Sequence, residues 1–167
     1  DIGSGKIIKK EMTGIPHHLL DVANPKRIFT VAQYQKLARR TIQKIWRRGK
    51  LPILCGGTGF YIQALVDNLI LPEVPPNKKL RKELESKTIQ QLFSILVTLD
   101  KNRALTIDPS NPARLMRAIE IATALGAVPQ IKTKPQYRAL QIGLTLSDEE
   151  LKTKIHKRLH KRFKQGM

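Results

Sequence analysis

The apolar run Leu51-Pro-Ile-Leu-Cys55, passing directly into Gly56-Gly57-Thr58-Gly59, constrains this chain more than any other feature. After the glycines, Phe60, Tyr61, Ala64, Leu65 and Leu69 recur at helical spacing. Before the run, Val31, Tyr34, Leu37, Ala38, Ile42 and Ile45 do the same as far as Gly49, and Thr30 with Gln33 forms a capping box at the start. Helix, strand, glycine-rich turn and helix is the order of an α/β fold, whose short apolar strands lie buried in a parallel sheet. The far end repeats the order. Residues 137–146 predict a strand, Ser147 with Glu150 a second capping box, and Leu151, Ile155, Leu159 and Phe163 the stripe of a last helix.

Other material lies between. Pro72, Pro75 and Pro76 break the chain, and short helices are predicted over 78–86 and 88–99. A longer helix starts at Asn111-Pro112 and stops at Gly126, with Asn at the cap, Pro in the first turn and Gly past the end. Residues 73–136 therefore predict an all-helical insertion between two parts of an α/β core, 1–72 and 137–167. Residues 1–29 predict loop with brief extended pieces.

Charge narrows the partner. Lys and Arg total 31 against 13 Asp and Glu, a net charge of +18. The excess sits in the first fifty residues and beyond residue 100, while 51–100 is balanced. A surface this basic repels itself unless a polyanion offsets it, which favours nucleic acid over a merely solvated basic face. Aromatic residues make up 5%, too few for RNA binding mainly by stacking. Cys55 is the sole cysteine, which excludes an intrachain disulfide and a cysteine zinc cluster. With no apolar run of membrane-spanning length and no signal peptide, the chain is expected to be cytoplasmic. It begins with Asp1 and ends at Met167 within a helical pattern, so both ends read as cut.

Several motifs compete for function. Gly3-Ser4-Gly5-Lys6 approaches a P-loop, but Ile7 replaces the magnesium-binding hydroxyl and no strand precedes it. The Cys55–Gly59 turn is better placed, because free backbone N–H groups at a helix start favour an anion and Thr58 can donate a hydroxyl hydrogen bond. A tight turn capped by Thr58 is the equal alternative. His17 and His18 predict a turn holding one satisfied, partly buried ring. His156 and His160 share a helical face amid lysines without a third ligand, so no metal site is assigned. Arg114 and Arg117, three apart on one helix, are expected to point the same way and to suit phosphates, as does Arg81; a solvated face is the alternative.

Four segments, in order, resemble one family. They are Asp1-Ile-Gly-Ser-Gly-Lys6, Gly14-Ile-Pro-His-His-Leu-Leu-Asp21, Pro52-Ile-Leu-Cys-Gly-Gly-Thr58 and Asn111-Pro-Ala-Arg-Leu-Met-Arg-Ala118. The family is the tRNA dimethylallyltransferases, and the resemblance covers essentially the whole chain. Ile7, where many members have Pro, and Ala113, often Gln, depart from its pattern. The resemblance implies an adenylate-kinase-like P-loop core with a helical insertion gripping the anticodon stem-loop. It implies transfer of a dimethylallyl group from its diphosphate to N6 of the adenosine 3′ of the anticodon, with Mg2+, by a monomer. It places Thr58 against the tRNA substrate as a positioning residue, and Arg81, Ala113, Arg114, Leu115, Met116 and Arg117 at the tRNA. The phosphate loop and the general-base aspartate are expected ahead of Asp1, and a C-terminal part beyond Met167, so the piece alone is expected to be inactive. A related P-loop kinase, an adenylate prenyltransferase or a non-catalytic basic RNA-binding module are the rival readings.

Overall fold

The computed structural model describes residues 6–164 and Gly166. Gly3, Ser4 and Gly5 of the P-loop-like segment, with Asp1, Ile2 and Met167, lie outside the described residues. The chain divides into two compact units, Thr58–Gln136 and Asp1–Gly57 with Tyr137–Met167.

The first of these units holds nearly all the buried apolar surface. It begins at Thr58 rather than at residue 73 and takes in helix α2 (Gly59–Val66) and strand β1 (Leu69–Ile70). (Helix α1, Val31–Trp46, precedes it in the chain.) Four helices follow: α3 (Lys78–Glu85), α4 (Ile89–Leu99), α5 (Lys101–Thr106) and α6 (Pro112–Leu125), then strand β2 (Lys132–Thr133). Their starts are built locally. Asn77 accepts from the Leu80 N–H, Thr88 and Gln91 exchange a capping box, and Asn111 accepts from the Arg114 N–H ahead of Pro112. Gly126 closes α6 at φ +84, in the left-handed region that glycine adopts without strain. Helix α5 escaped the sequence analysis because neither Gly nor Pro separates it from α4. Asp100 makes the break: its Oδ1 accepts from Arg103 N and its Oδ2 from Val128 N, at 2.9 and 2.8 Å.

Leu84 of α3, Leu92 and Leu96 of α4, Ala104 of α5, Ile107, and Leu115, Ala118 and Ile119 of α6 form one core cluster. β1 and β2 pair antiparallel, Leu69 opposite Thr133 and Ile70 opposite Lys132, where the chain enters and leaves the helical region. Asn68, buried and left-handed, donates its Nδ2–H to the Lys134 carbonyl at 2.6 Å beside this ribbon.

The other unit contains α1 and helix α7 (Asp148–Lys164). Thr30 caps α1 with the expected Gln33 partner, and Ser147 exchanges hydrogen bonds with Glu150 at the start of α7. Trp46 meets Tyr137 edge-on, ring centroids 5.3 Å apart. Lys6 pairs with Asp21 at 2.6 Å.

Both strands predicted for a parallel sheet are corrected here. Neither residues 51–55 nor residues 137–146 form strand, and the two-residue ribbon of β1 and β2 is the sheet seen among the described residues. Their apolar side chains stand in solvent, with Ile53 at 85% and Leu144 at 94% exposure. The reason is non-locality. A helix closes its hydrogen bonds within itself, whereas a strand needs neighbours alongside, and none is present beside these segments among the described residues. No helix of the described residues is long and apolar enough to cross a membrane.

Two truncations contrast the core with the open segment. Leu96→Ala, at a fully buried position, is expected to cost about 2–5 kcal/mol in urea unfolding. Ile142→Ala, at an exposed one, should change stability by less than about 0.5 kcal/mol.

Candidate nucleic-acid interface

Helices α3 and α6 are held together by a charged cluster centred on Glu120. The core fixes its geometry: Leu84 of α3 and Leu115, Ala118 and Ile119 of α6 pack inward, setting the register of both helices. Glu120, next after Ile119 in α6, is 1% exposed. Its Oε1 accepts from Asn77 N at 2.5 Å and from Arg81 Nε at 2.9 Å; its Oε2 accepts from Arg81 Nη2 at 2.8 Å and from Arg117 Nη1. Arg117 also donates Nη2–H to the Val74 carbonyl at 2.9 Å. Arg81 thus grips the carboxylate with two parallel hydrogen bonds, the strongest geometry open to this pair.

Burial by itself would push the Glu120 carboxyl up. The hydrogen bonds from Arg81, the Asn77 N–H and Arg117 outweigh it and bring the group down from 4.5 to about 2. The same carboxylate raises Arg81 above its ordinary value, against the opposing effect of burial. Two guanidinium groups share one carboxylate, so the cluster stays net positive.

The other expected site residues are distributed differently. Thr58 is the N-cap of α2, with its carbonyl accepting from Tyr61 N and Ile62 N, but its hydroxyl makes no capping hydrogen bond. Thr58 thus stands at the cap, as the alternative of a tight turn has it, but through its backbone and not its hydroxyl. Ala113 and Arg114 are exposed at the start of α6, and Arg114 lies 3.8 Å from Asp108, a loose solvent-exposed pair worth little. Hydrogen bonds from the Ser110 hydroxyl and then its N–H hold the Asp108 carboxyl below its usual range.

The expectation that Arg114 and Arg117 point the same way fails. Arg114 reaches back toward Asp108, whereas Arg117 reaches Glu120 and Val74. The Leu115 side chain is fully buried in the core cluster, and Met116 packs partly buried against it. The structure brings Arg81 and Arg117 together through Glu120, which the sequence analysis did not single out. Its signal was an acidic residue three positions after Arg117, set inside the apolar stripe Ala118, Ile119 and Ala122.

The histidines hold no metal set. His17 Nδ1 lies 2.9 Å from the Ile15 carbonyl in an exposed, irregular segment, so its ring is partnered but neither in a turn nor partly buried as expected. The Nε2 atoms of His156 and His160 lie 2.9 Å apart on exposed α7. Among the described residues no group of three or more His, Cys, Asp or Glu side chains could hold an ion.

A family model described as IPP transferase matches residues 1–167, the whole chain. The chain belongs to the IPP transferase family. Among IPP transferase relatives, a tRNA dimethylallyltransferase of Anoxybacillus flavithermus is 40% identical over 172 residues, covering all of this chain and 55% of the relative. One from Halalkalibacterium halodurans is 36% identical over 177 residues, covering all of this chain and 56% of the relative. The chain thus spans about half the length of the curated relatives it matches. The crystal structure of the full-length tRNA isopentenylpyrophosphate transferase from Bacillus halodurans matches with a TM-score of 0.60 at 36% identity, over 99% of this chain and 54% of that one. A crystal structure of a eukaryotic dimethylallyltransferase acting on tRNA matches with a TM-score of 0.80 at 26% identity, over 96% of this chain and 42% of that one.

The depressed Glu120 carboxyl carries a pH signature. Its folded value lies below the unfolded one, so its stabilisation is full above about pH 4.5 and fades as pH falls toward about 2. Glu120→Gln should cost about 2–3 kcal/mol at pH 7, and the gap from the parent should narrow below pH 4.5 in urea titrations run at stepped pH.

Proposed function

We propose that this chain serves in a tRNA dimethylallyltransferase, moving a dimethylallyl group from dimethylallyl diphosphate to N6 of the adenosine 3′ of the anticodon. The observation that carries the reading is the match of the whole chain to the IPP transferase family, together with the TM-score of 0.80 to a dimethylallyltransferase acting on tRNA. In this reaction the N6–carbon bond forms as the carbon–oxygen bond to diphosphate breaks, and the N6 proton passes to a base. The helical unit supplies RNA affinity through its half-exposed arginines, and the +18 charge of the chain favours a polyanionic partner.

Thr58 serves as a positioning residue for the target adenosine. Its hydroxyl is not used by the α2 cap, which supports an outward role. The fold of the complete enzyme is taken to be a P-loop core carrying the helical insertion. The enzyme works as a cytoplasmic monomer. Mg2+ belongs to the proposed chemistry, but the described residues offer no ligand set that fits it.

A chimera tests the reading. This chain, spliced into the matching half of the Anoxybacillus flavithermus relative, should transfer dimethylallyl to tRNA; an intact, folded chimera without transfer would count against it. In that chimera Thr58→Ala should lower the rate per folded molecule about a hundredfold, roughly the 2–4 kcal/mol of one well-placed catalytic hydrogen bond. Arg114→Ala should weaken matched and mismatched stem-loops alike and reduce the log–log salt slope by about 0.7–0.9, as loss of one phosphate contact requires. Preference for free AMP over stem-loop RNA would instead favour an adenylate prenyltransferase.

A further inference from the structure

Glu120 occupies a place where an apolar residue would normally sit. Leu115, Ala118, Ile119, Ile121 and Ala122 of the same helix are buried as well. Replacing a buried ion pair by packed apolar residues is often neutral or stabilising, so clamping α3 to α6 does not by itself call for a carboxylate here. What an apolar side chain cannot provide is a fixed location for two guanidinium groups.

The geometry provides that location. Arg81 commits Nε and Nη2 to the carboxylate, and Arg117 commits Nη1 to it and Nη2 to the Val74 carbonyl. Both side chains nevertheless keep about a third of their surface in solvent, 32% and 36%. A guanidinium has five N–H donors, so each retains donors beyond those spent on its anchors. Each arginine is thus tied on its inner side and remains accessible on its outer side, and the cluster keeps a positive charge. An arginine already held in place gives up little rotamer freedom on meeting a ligand, whereas a loose one loses it at binding.

We infer that Glu120 is a positioning residue for RNA binding, holding Arg81 and Arg117 ready for neighbouring phosphate oxygens of the RNA backbone. The inference rests on the tRNA-binding reading above and adds a residue that itself touches no RNA. It also reverses the expectation from charge. Removing a carboxylate from a basic surface should tighten RNA binding by Coulomb attraction, but removing a positioning carboxylate should weaken it.

The experiment measures binding of anticodon stem-loop RNA to the 167-residue chain across a salt series, with folded fraction checked by circular dichroism. Glu120→Gln, compared at equal folded fraction, is expected to bind about tenfold more weakly despite its added positive charge, the cost of immobilising two long side chains at binding. Equal or tighter binding would overturn the inference. Arg81→Lys and Arg117→Lys keep the charge and lose the planar fork, so each should weaken binding severalfold. This pair decides the matter if Glu120→Gln does not fold, and unchanged binding in both would overturn the inference. A parent chain that fails to bind the stem-loop would sink the RNA-binding reading, and the inference with it. A parent that binds, beside a Glu120→Gln that binds as well, would sink the inference alone.

Discussion

A carboxylate enclosed by protein needs its hydrogen bonds satisfied, and Glu120 obtains them from three places in the chain. Asn77 supplies a backbone N–H, Arg81 two guanidinium N–H groups and Arg117 a third. Those donors tie the start of α3, the middle of α3 and the middle of α6 to one point. Asn77 is at once the cap of α3 and a donor to Glu120, so the beginning of that helix and its docking on α6 are a single arrangement. Arg117 extends the tie to Val74, in the proline-rich segment that leads into the helices. Loss of the carboxylate would leave two cations beside each other at the edge of the core, which is why breaking such a cluster costs more than forming it contributes.

Helices were legible in the sequence because their signals are local. Thr30 with Gln33, Asn111 with Pro112, and Gly126 each mark an end using residues within one turn, and the structure has those ends. The strands were not, since Leu51, Ile53, Leu140 and Ile142 show the right residue types but pairing depends on partners far along a chain or outside it. Asp100 illustrates the intermediate case. It caps α5 locally but is fixed by Val128, 28 positions away, and only the local half could have been read.

The candidate site divides along the same line. Composition and motif order pointed to RNA and to a family, and both rest on residues read one at a time. Which arginines act together depends on a contact 39 positions apart, between Arg81 and Glu120, that no spacing rule reveals. The register of α6 then separated residues that are neighbours in sequence: Arg114 stays in solvent, Leu115 goes into the core and Arg117 joins the cluster.

The short ribbon of Leu69–Ile70 against Lys132–Thr133 sets the terms on which so many residues can be added to a chain. Paired strands lie about 5 Å apart, so the stretch between them departs and returns at nearly the same point. To the polymer on either side it has the end-to-end demand of a hairpin turn, whatever its length. Closing a long loop becomes only slowly more expensive as residues are added, and this one recovers that cost in its own helical core. Growth, shrinkage or exchange of the helices can therefore proceed between two fixed points of the chain, leaving their outer surface free to diversify while the ribbon keeps its register.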